Sequence, residues 1–195
     1  MLIIGIAGKM GVGKDYVSLQ LKQLILKHNP NATVRLIAFG DQLKVTCSVS
    51  QNLPIEIMFG DKPQYIRELL QQTATELGRN VSGQDIWIKY LNAWLNVYNI
   101  RETMDVVIIP DVRFKNEYEW ILSKSGYVIY INAPNRNMTR LLHESDSEEI
   151  RIKIANHRSE TELNDYKHQY IISNDDNLNL INELETIFKS HSIKL

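Results

Sequence analysis

Leu2-Ile3-Ile4-Gly5-Ile6-Ala7-Gly8-Lys9-Met10-Gly11-Val12-Gly13-Lys14-Asp15 is the stretch on which the fold turns. Leu2 to Ala7 is continuously apolar, as a strand buried on both faces must be. Gly8 to Gly13 is too rich in glycine for either regular element and reads as a loop. From Lys14 to about His28 the residues Val17, Leu21, Leu24 and Ile25 recur at helical spacing, and Asn29-Pro30-Asn31 ends the helix. A strand, a glycine loop and a helix in that order form a cradle for phosphate. Glycines let the backbone curl until several N–H groups face one anion. The helix N-terminus adds about half a positive charge, and Lys14 bridges the outer phosphates as a point charge. The nucleotide-binding candidates are therefore Gly8, Lys9, Met10, Gly11, Val12, Gly13, Lys14 and Asp15, with Lys14 also acting in the chemistry.

Outward from this stretch the chain alternates strands with helices. Val34 to Phe39, Asp105 to Ile109, Tyr127 to Ile131 and Gln169 to Ile172 read as four further strands. Short helices are expected over Gly40 to Val49 and Glu117 to Lys124, and a closing one over Leu178 to Phe188. A longer helix runs from Pro63 to a stop at Gly78, with Ile66, Leu69, Leu70, Thr73 and Leu77 on its buried face. The next begins at Ser82 as cap and reaches about Tyr98. Such alternation gives an α/β fold: a five-stranded parallel sheet with helices on both faces, of the P-loop NTPase type. One domain, 1–195, is expected.

The 195 residues carry 22 basic and 23 acidic side chains, a formal charge of -1. Nothing in that balance calls for a nucleic acid or an anionic membrane as partner. The apolar start, Met1 to Ala7, is too short to span a membrane, so no targeting segment is expected. The lone cysteine, Cys47, makes no internal disulfide. It suits a reducing cytoplasm, a host's if the protein is viral, and reads as a small packed side chain.

Two acidic positions stand out. Asp15 occupies the place where Ser or Thr normally reaches Mg²⁺. Beside a triphosphate a carboxylate is repelled unless a cation or its water lies between, so Asp15 is expected to orient the Mg²⁺ shell, to stabilise the first helical turn, or both. Val106-Val107-Ile108-Ile109-Pro110-Asp111 has the form of a Walker B strand. Asp111 then holds the metal's water shell, accepts a bond from substrate, or caps the following helix, and Arg113 is close enough to reach the same cleft. A GTPase would show Asp-x-x-Gly after this strand and Asn-Lys-x-Asp for guanine; the sequence has neither. A transferase with an acceptor pocket is favoured.

Gly8 to Asp15, Ala38-Phe39-Gly40-Asp41-Gln42-Leu43-Lys44, Arg67-Glu68-Leu69-Leu70-Gln71, Thr75-Glu76-Leu77-Gly78-Arg79, Trp87-Ile88, Asp111-Val112-Arg113-Phe114-Lys115-Asn116-Glu117 and His157-Arg158-Ser159-Glu160 together resemble the phage-type deoxynucleoside monophosphate kinases. The matches run in order over nearly the whole chain. Animal-type phosphomevalonate kinases are more distantly similar and share the Gly-Lys-Asp loop ending. The resemblance implies phosphoryl transfer from ATP to a (deoxy)nucleoside monophosphate with Mg²⁺. It also implies a core, a helical monophosphate-binding region over about 50–100 and a lid over about 132–168, and a homodimer is compatible with it. A phosphomevalonate kinase and a non-catalytic ATP-binding switch are the alternatives. The chain departs from its relatives at Tyr16, where a small hydroxyl residue is usual, and at Arg158, where proline is expected.

Set beside that resemblance, Arg67, Gln71 and Thr75 are spaced by four and share a helical stripe, with Arg79 at its end. Arginine offers a fork for phosphate oxygens, while Gln and Thr can read a base or sugar. A solvated helix flank is the bland reading. Trp87 either walls the base pocket or belongs to the core. Asp41 and Lys44 either reach the acceptor or serve as cap and surface lysine. In the lid, Arg136 and Arg140 are placed to neutralise the transferring group as water leaves, or else to pair with acids such as Glu144. Asn174 either lines the adenine pocket or makes a turn.

Overall fold

In the computed structural model, which describes residues 1–60, 62–175 and 178–191, β1 (Leu2–Ala7) is the central strand of the sheet. The order is β2 (Val34–Leu36), β3 (Val106–Val112), β1, β4 (Tyr127–Asn132), β5 (Tyr170–Ser173), and every pairing is parallel. The apolar runs are explained by what covers them. On one face, Val17, Leu21, Leu24 and Ile25 of α1 (Lys14–His28) and Leu180, Leu184 and Phe188 of α11 (Leu180–Ser190) form one buried cluster with Ile4, Ile6, Val106, Ile108, Ile129 and Ile131. On the other lies α7 (Lys115–Ser123), with Tyr118 and Ile121 buried. Gly5 permits that approach: a Cβ there would sit 2.6 Å from Ile121 Cδ1.

The chain divides into two compact units. The first, Met1–Leu36 with Thr103–Leu195, contains the sheet; the second, Ile37–Glu102, is helical. The helical unit comprises α2 (Asp41–Ser50), α3 (Ile55–Phe59), α4 (Gln64–Gln72), a π-helical segment Thr73–Arg79, α5 (Asn80–Ser82) and α6 (Ile86–Arg101). Cys47 is buried in it.

Several boundaries differ from those expected of the sequence. The second strand stops at Leu36, and Ala38 and Phe39 are buried in the helical unit instead. Gly78 does not stop a helix: α4 passes into the π segment, whose wider turn shifts the register by one residue. Gly78 takes the inward place and Leu77, expected in the core, is 67% exposed. Ser82 does not cap the following helix, which starts at Ile86 with Asp85 as N-cap. The third strand continues through Asp111 to Val112. Pro110 is tolerated there because β2 ends opposite Ile108, so no ladder bond is lost on that side. The stretch after β4 is more regular than its polar composition suggests, with α8 (Pro134–Glu144), α9 (Glu148–Ala155) and α10 (Arg158–Thr161).

Candidate active site

Loops after β1, β3, β4 and β5 converge at the carboxyl end of the sheet, where open parallel sheets bind ligands. The first of them is the glycine loop. Gly11 has φ +78 and Gly13 φ +90, left-handed conformations that fold the chain back before α1. Lys14, next in sequence, is buried. Its Nζ donates to the carbonyls of Gly8 at 3.0 Å and Lys9 at 2.8 Å. Burial, and then the Arg113 guanidinium, pull its pKa down to about 7, against the opposing pull of Glu160, Asp15 and Asp111. Asp15 is exposed and Asp111 half-buried, and both act on the Lys14 charge.

Helix α8 lies directly on this loop. Pro134 opens it at a first-turn position. A Cβ on Gly11 would meet Arg140 Cβ at 2.6 Å and the Arg136 carbonyl at 3.4 Å. Asn137 donates from Nδ2 to the Met10 carbonyl at 2.6 Å. Arg136 donates to the Asn174 carbonyl at 3.3 Å, and its backbone N–H donates to Asp175 at 3.1 Å. Arg140 pairs with Glu144 one turn along. Asn174 is fully buried: its Nδ2 donates to the Val12 carbonyl at 2.7 Å, while its Oδ1 has no hydrogen-bond partner among the described residues. Asn174 thus braces the loop from below.

On the β3 side, Arg113 and Phe114 donate their backbone N–H groups to the buried Glu117 carboxylate, at 2.9 and 3.2 Å. That carboxylate fixes the turn into α7. The Arg113 side chain pairs with Glu160 of α10, whose carboxylate also accepts the Met10 N–H at 2.7 Å. Arg158 pairs with Glu162 and lies over the Phe114 ring, 5.4 Å from its centroid. Tyr16 is exposed.

The structure therefore brings Gly8 to Asp15, Asp111, Arg113, Arg136, Arg140 and Asn174 to one end of the sheet unit. The remaining residues singled out above lie in the helical unit. Asp41 accepts from the Ala38 N–H at 2.9 Å and from Lys44 at 3.0 Å, and Lys44 lies over the Phe59 ring. Arg67 donates to the Lys62 carbonyl at 3.0 Å; Gln71 and Thr75 are half-buried. Arg79 is buried and donates to the Gln84 carbonyl. Trp87 is core: it packs against Gly78 and donates from Nε1 to the Ala74 carbonyl at 3.2 Å.

Sequence reasoning missed Asn137, Glu117 and Glu160 as site residues. Asn137 sits beside Arg136 and one turn before Arg140, so the arginine spacing already pointed to its helix face. Glu160 lies in His157-Arg158-Ser159-Glu160, a segment noticed for its resemblance but given no chemistry.

Comparison with known proteins agrees with this geometry. A protein of Acanthamoeba polyphaga mimivirus, provisionally named a deoxynucleotide monophosphate kinase, is 25% identical over 148 residues, covering 69% of this chain and 75% of its own. The fold is similar to that of TT1252 from Thermus thermophilus, with a TM-score of 0.61 at 16% identity and 98% of each chain covered. It is also similar to APS kinase from Mycobacterium tuberculosis, at 0.50 and 9%, again over 98% of each. The sheet, the loop and these likenesses make it a P-loop kinase fold. The family model described as deoxynucleotide monophosphate kinase matches residues 14–184, from the loop lysine to the closing helix, and the chain belongs to that family of kinases.

Proposed function

We propose that the protein transfers the terminal phosphoryl group of ATP to a deoxynucleoside monophosphate, giving the diphosphate. The observation that carries this reading is the loop around Lys14, with Arg113 on one side and Arg136 and Arg140 on the other. The Arg113 and Arg136 guanidinium groups and the Lys14 ammonium gather at one loop, and Arg140 is rooted beside it, which suits a reaction whose transition state spreads negative charge over several oxygens. The family match and the mimivirus relative support a nucleotide as acceptor.

In this proposal Lys14 leaves the Gly8 and Lys9 carbonyls for the outer phosphates of ATP, and the loop amides hold the rest. Arg136 and Arg140 neutralise the group in flight. Arg113 holds the acceptor phosphate, and Arg67, Gln71, Thr75 and Arg79 are the candidates for the acceptor nucleotide in the helical unit. The acceptor oxygen is already anionic near neutral pH, so no strong general base is required and catalysis is positioning with charge neutralisation. Asp15 and Asp111 fit Mg²⁺, which favours one or two carboxylates completed by phosphate oxygens and water. Both carboxylates act on Lys14, the residue that in this proposal meets the outer phosphates. Bound there, Mg²⁺ would supply further neutralising charge.

ADP release measured with a panel of ribo- and deoxynucleoside monophosphates tests the reading. Turnover is expected with at least one deoxynucleotide. Lys14→Ala should abolish nearly all of it while leaving the circular dichroism spectrum intact; unchanged turnover in that variant would exclude the proposed donor site.

A further inference from the structure

Glu160 is a carboxylate in an unexpected place. It is buried, yet it reaches the phosphate loop, accepting the Met10 N–H at 2.7 Å and pairing with Arg113. Ser159 donates to it from Oγ at 3.4 Å, and Lys14 and Tyr130 both feel its charge. A loop amide, a guanidinium and a nearby ammonium are the donors a phosphate group uses. The space bounded by Gly8, Lys9, Arg113, Tyr130, Glu160 and Leu163 is about 10 Å³, room for one water and not for a phosphate. A carboxylate and a phosphoryl oxygen compete for one N–H, and two anions side by side away from bulk water repel strongly. If the donor's phosphates use the Met10 amide, Glu160 must withdraw.

Resting on the donor site assigned under Proposed function, we propose that Glu160 is a positioning residue that couples the two substrates. Its carboxylate holds the Met10 amide and Arg113 until the donor's phosphates take the amide, and its withdrawal releases Arg113 to bind the acceptor's phosphate. The short helix carrying it, α10, has four residues and follows a loop at Asn156 and His157, so a small local rotation moves the carboxylate. Thermodynamic linkage makes the coupling reciprocal: each substrate tightens the other.

The test is calorimetric binding of a deoxynucleoside monophosphate to the full chain, with and without a non-hydrolysable ATP analogue and Mg²⁺. Wild type is expected to bind the monophosphate at least about 5-fold more tightly with the analogue present. Glu160→Gln should bind it equally well with and without the analogue, at the affinity of the donor-loaded wild type. It should also bind the analogue more tightly than wild type does. Glu160→Asp should restore part of the coupling, and in steady state Glu160→Gln should lower the acceptor KM at low ATP more than it changes kcat. Wild type that binds both ligands without coupling overturns the proposal with no variant needed. So does Glu160→Gln that keeps the coupling, or that weakens both ligands as loss of a fixed brace would. Wild type that fails to bind the ATP analogue at all sinks the donor site itself, and this proposal with it.

Discussion

Lys14 carries the largest electrostatic tension in the site. Its ammonium is buried beside a guanidinium, which lowers the pKa to about 7, while in the unfolded chain it returns to 10.5. Between those values the unfolded chain holds a proton that the folded one lacks. Lys14 alone therefore makes the fold more stable as pH rises from about 7 towards 10.5, and its cost is fully present below 7. A bound polyphosphate reverses the shift by giving the ammonium a partner. At pH 8, donor binding should take up close to one proton, read from calorimetric enthalpies in two buffers of different ionisation heat; Lys14→Met should take up none. Arg136 and Arg140 belong to the same scale. Alanine at either is expected to lower kcat roughly 10³-fold with a smaller effect on the ATP KM. A raised ATP KM with kcat unchanged would instead mean that these arginines bind ground state and transition state alike.

Among the elements, the π segment Thr73–Arg79 is where pattern reading failed most clearly. A strict helical period puts Leu77 inside, but the extra residue in the π turn puts Gly78 there, against the Trp87 ring. Nothing in the composition of Thr-Ala-Thr-Glu-Leu-Gly-Arg announces that shift, and the ring packed against Gly78 comes from the next helix. Gly78→Ala is expected to cost about 1–3 kcal/mol by overpacking, while Leu77→Ala should stay within about 0.5 kcal/mol. Urea midpoints of the two variants distinguish the observed register from a regular helix. The elements at the loop were far more legible. Strand, glycine turn and helix each follow from local chemistry. Asn137, Glu117 and Glu160 stayed hidden because their roles arise from contacts between segments far apart in sequence, which no local pattern encodes.

For the molecule as a whole, the parallel sheet was readable because its strands are apolar throughout, a pattern that demands cover on both faces, and α1 and α11 opposite α7 provide it. Strand order was not readable: placing β3 beside β1 depends on which helices fill which face. The helical unit was legible as helices but not in its bounds, since Ala38 and Phe39 continue an apolar run in sequence yet leave the sheet at Leu36. Bound together, donor analogue and acceptor should stabilise the entire chain, by about 2.7 kcal/mol for each ligand at a hundredfold excess over its Kd. The most direct measurement follows the phosphoryl group itself. ATP labelled in its terminal phosphate, incubated with the protein, Mg²⁺ and a deoxynucleoside monophosphate, should deliver the label to the β-position of the deoxynucleoside diphosphate, and Lys14→Ala should deliver none. Label that appears only as inorganic phosphate, or remains in ATP with every monophosphate offered, would contradict it.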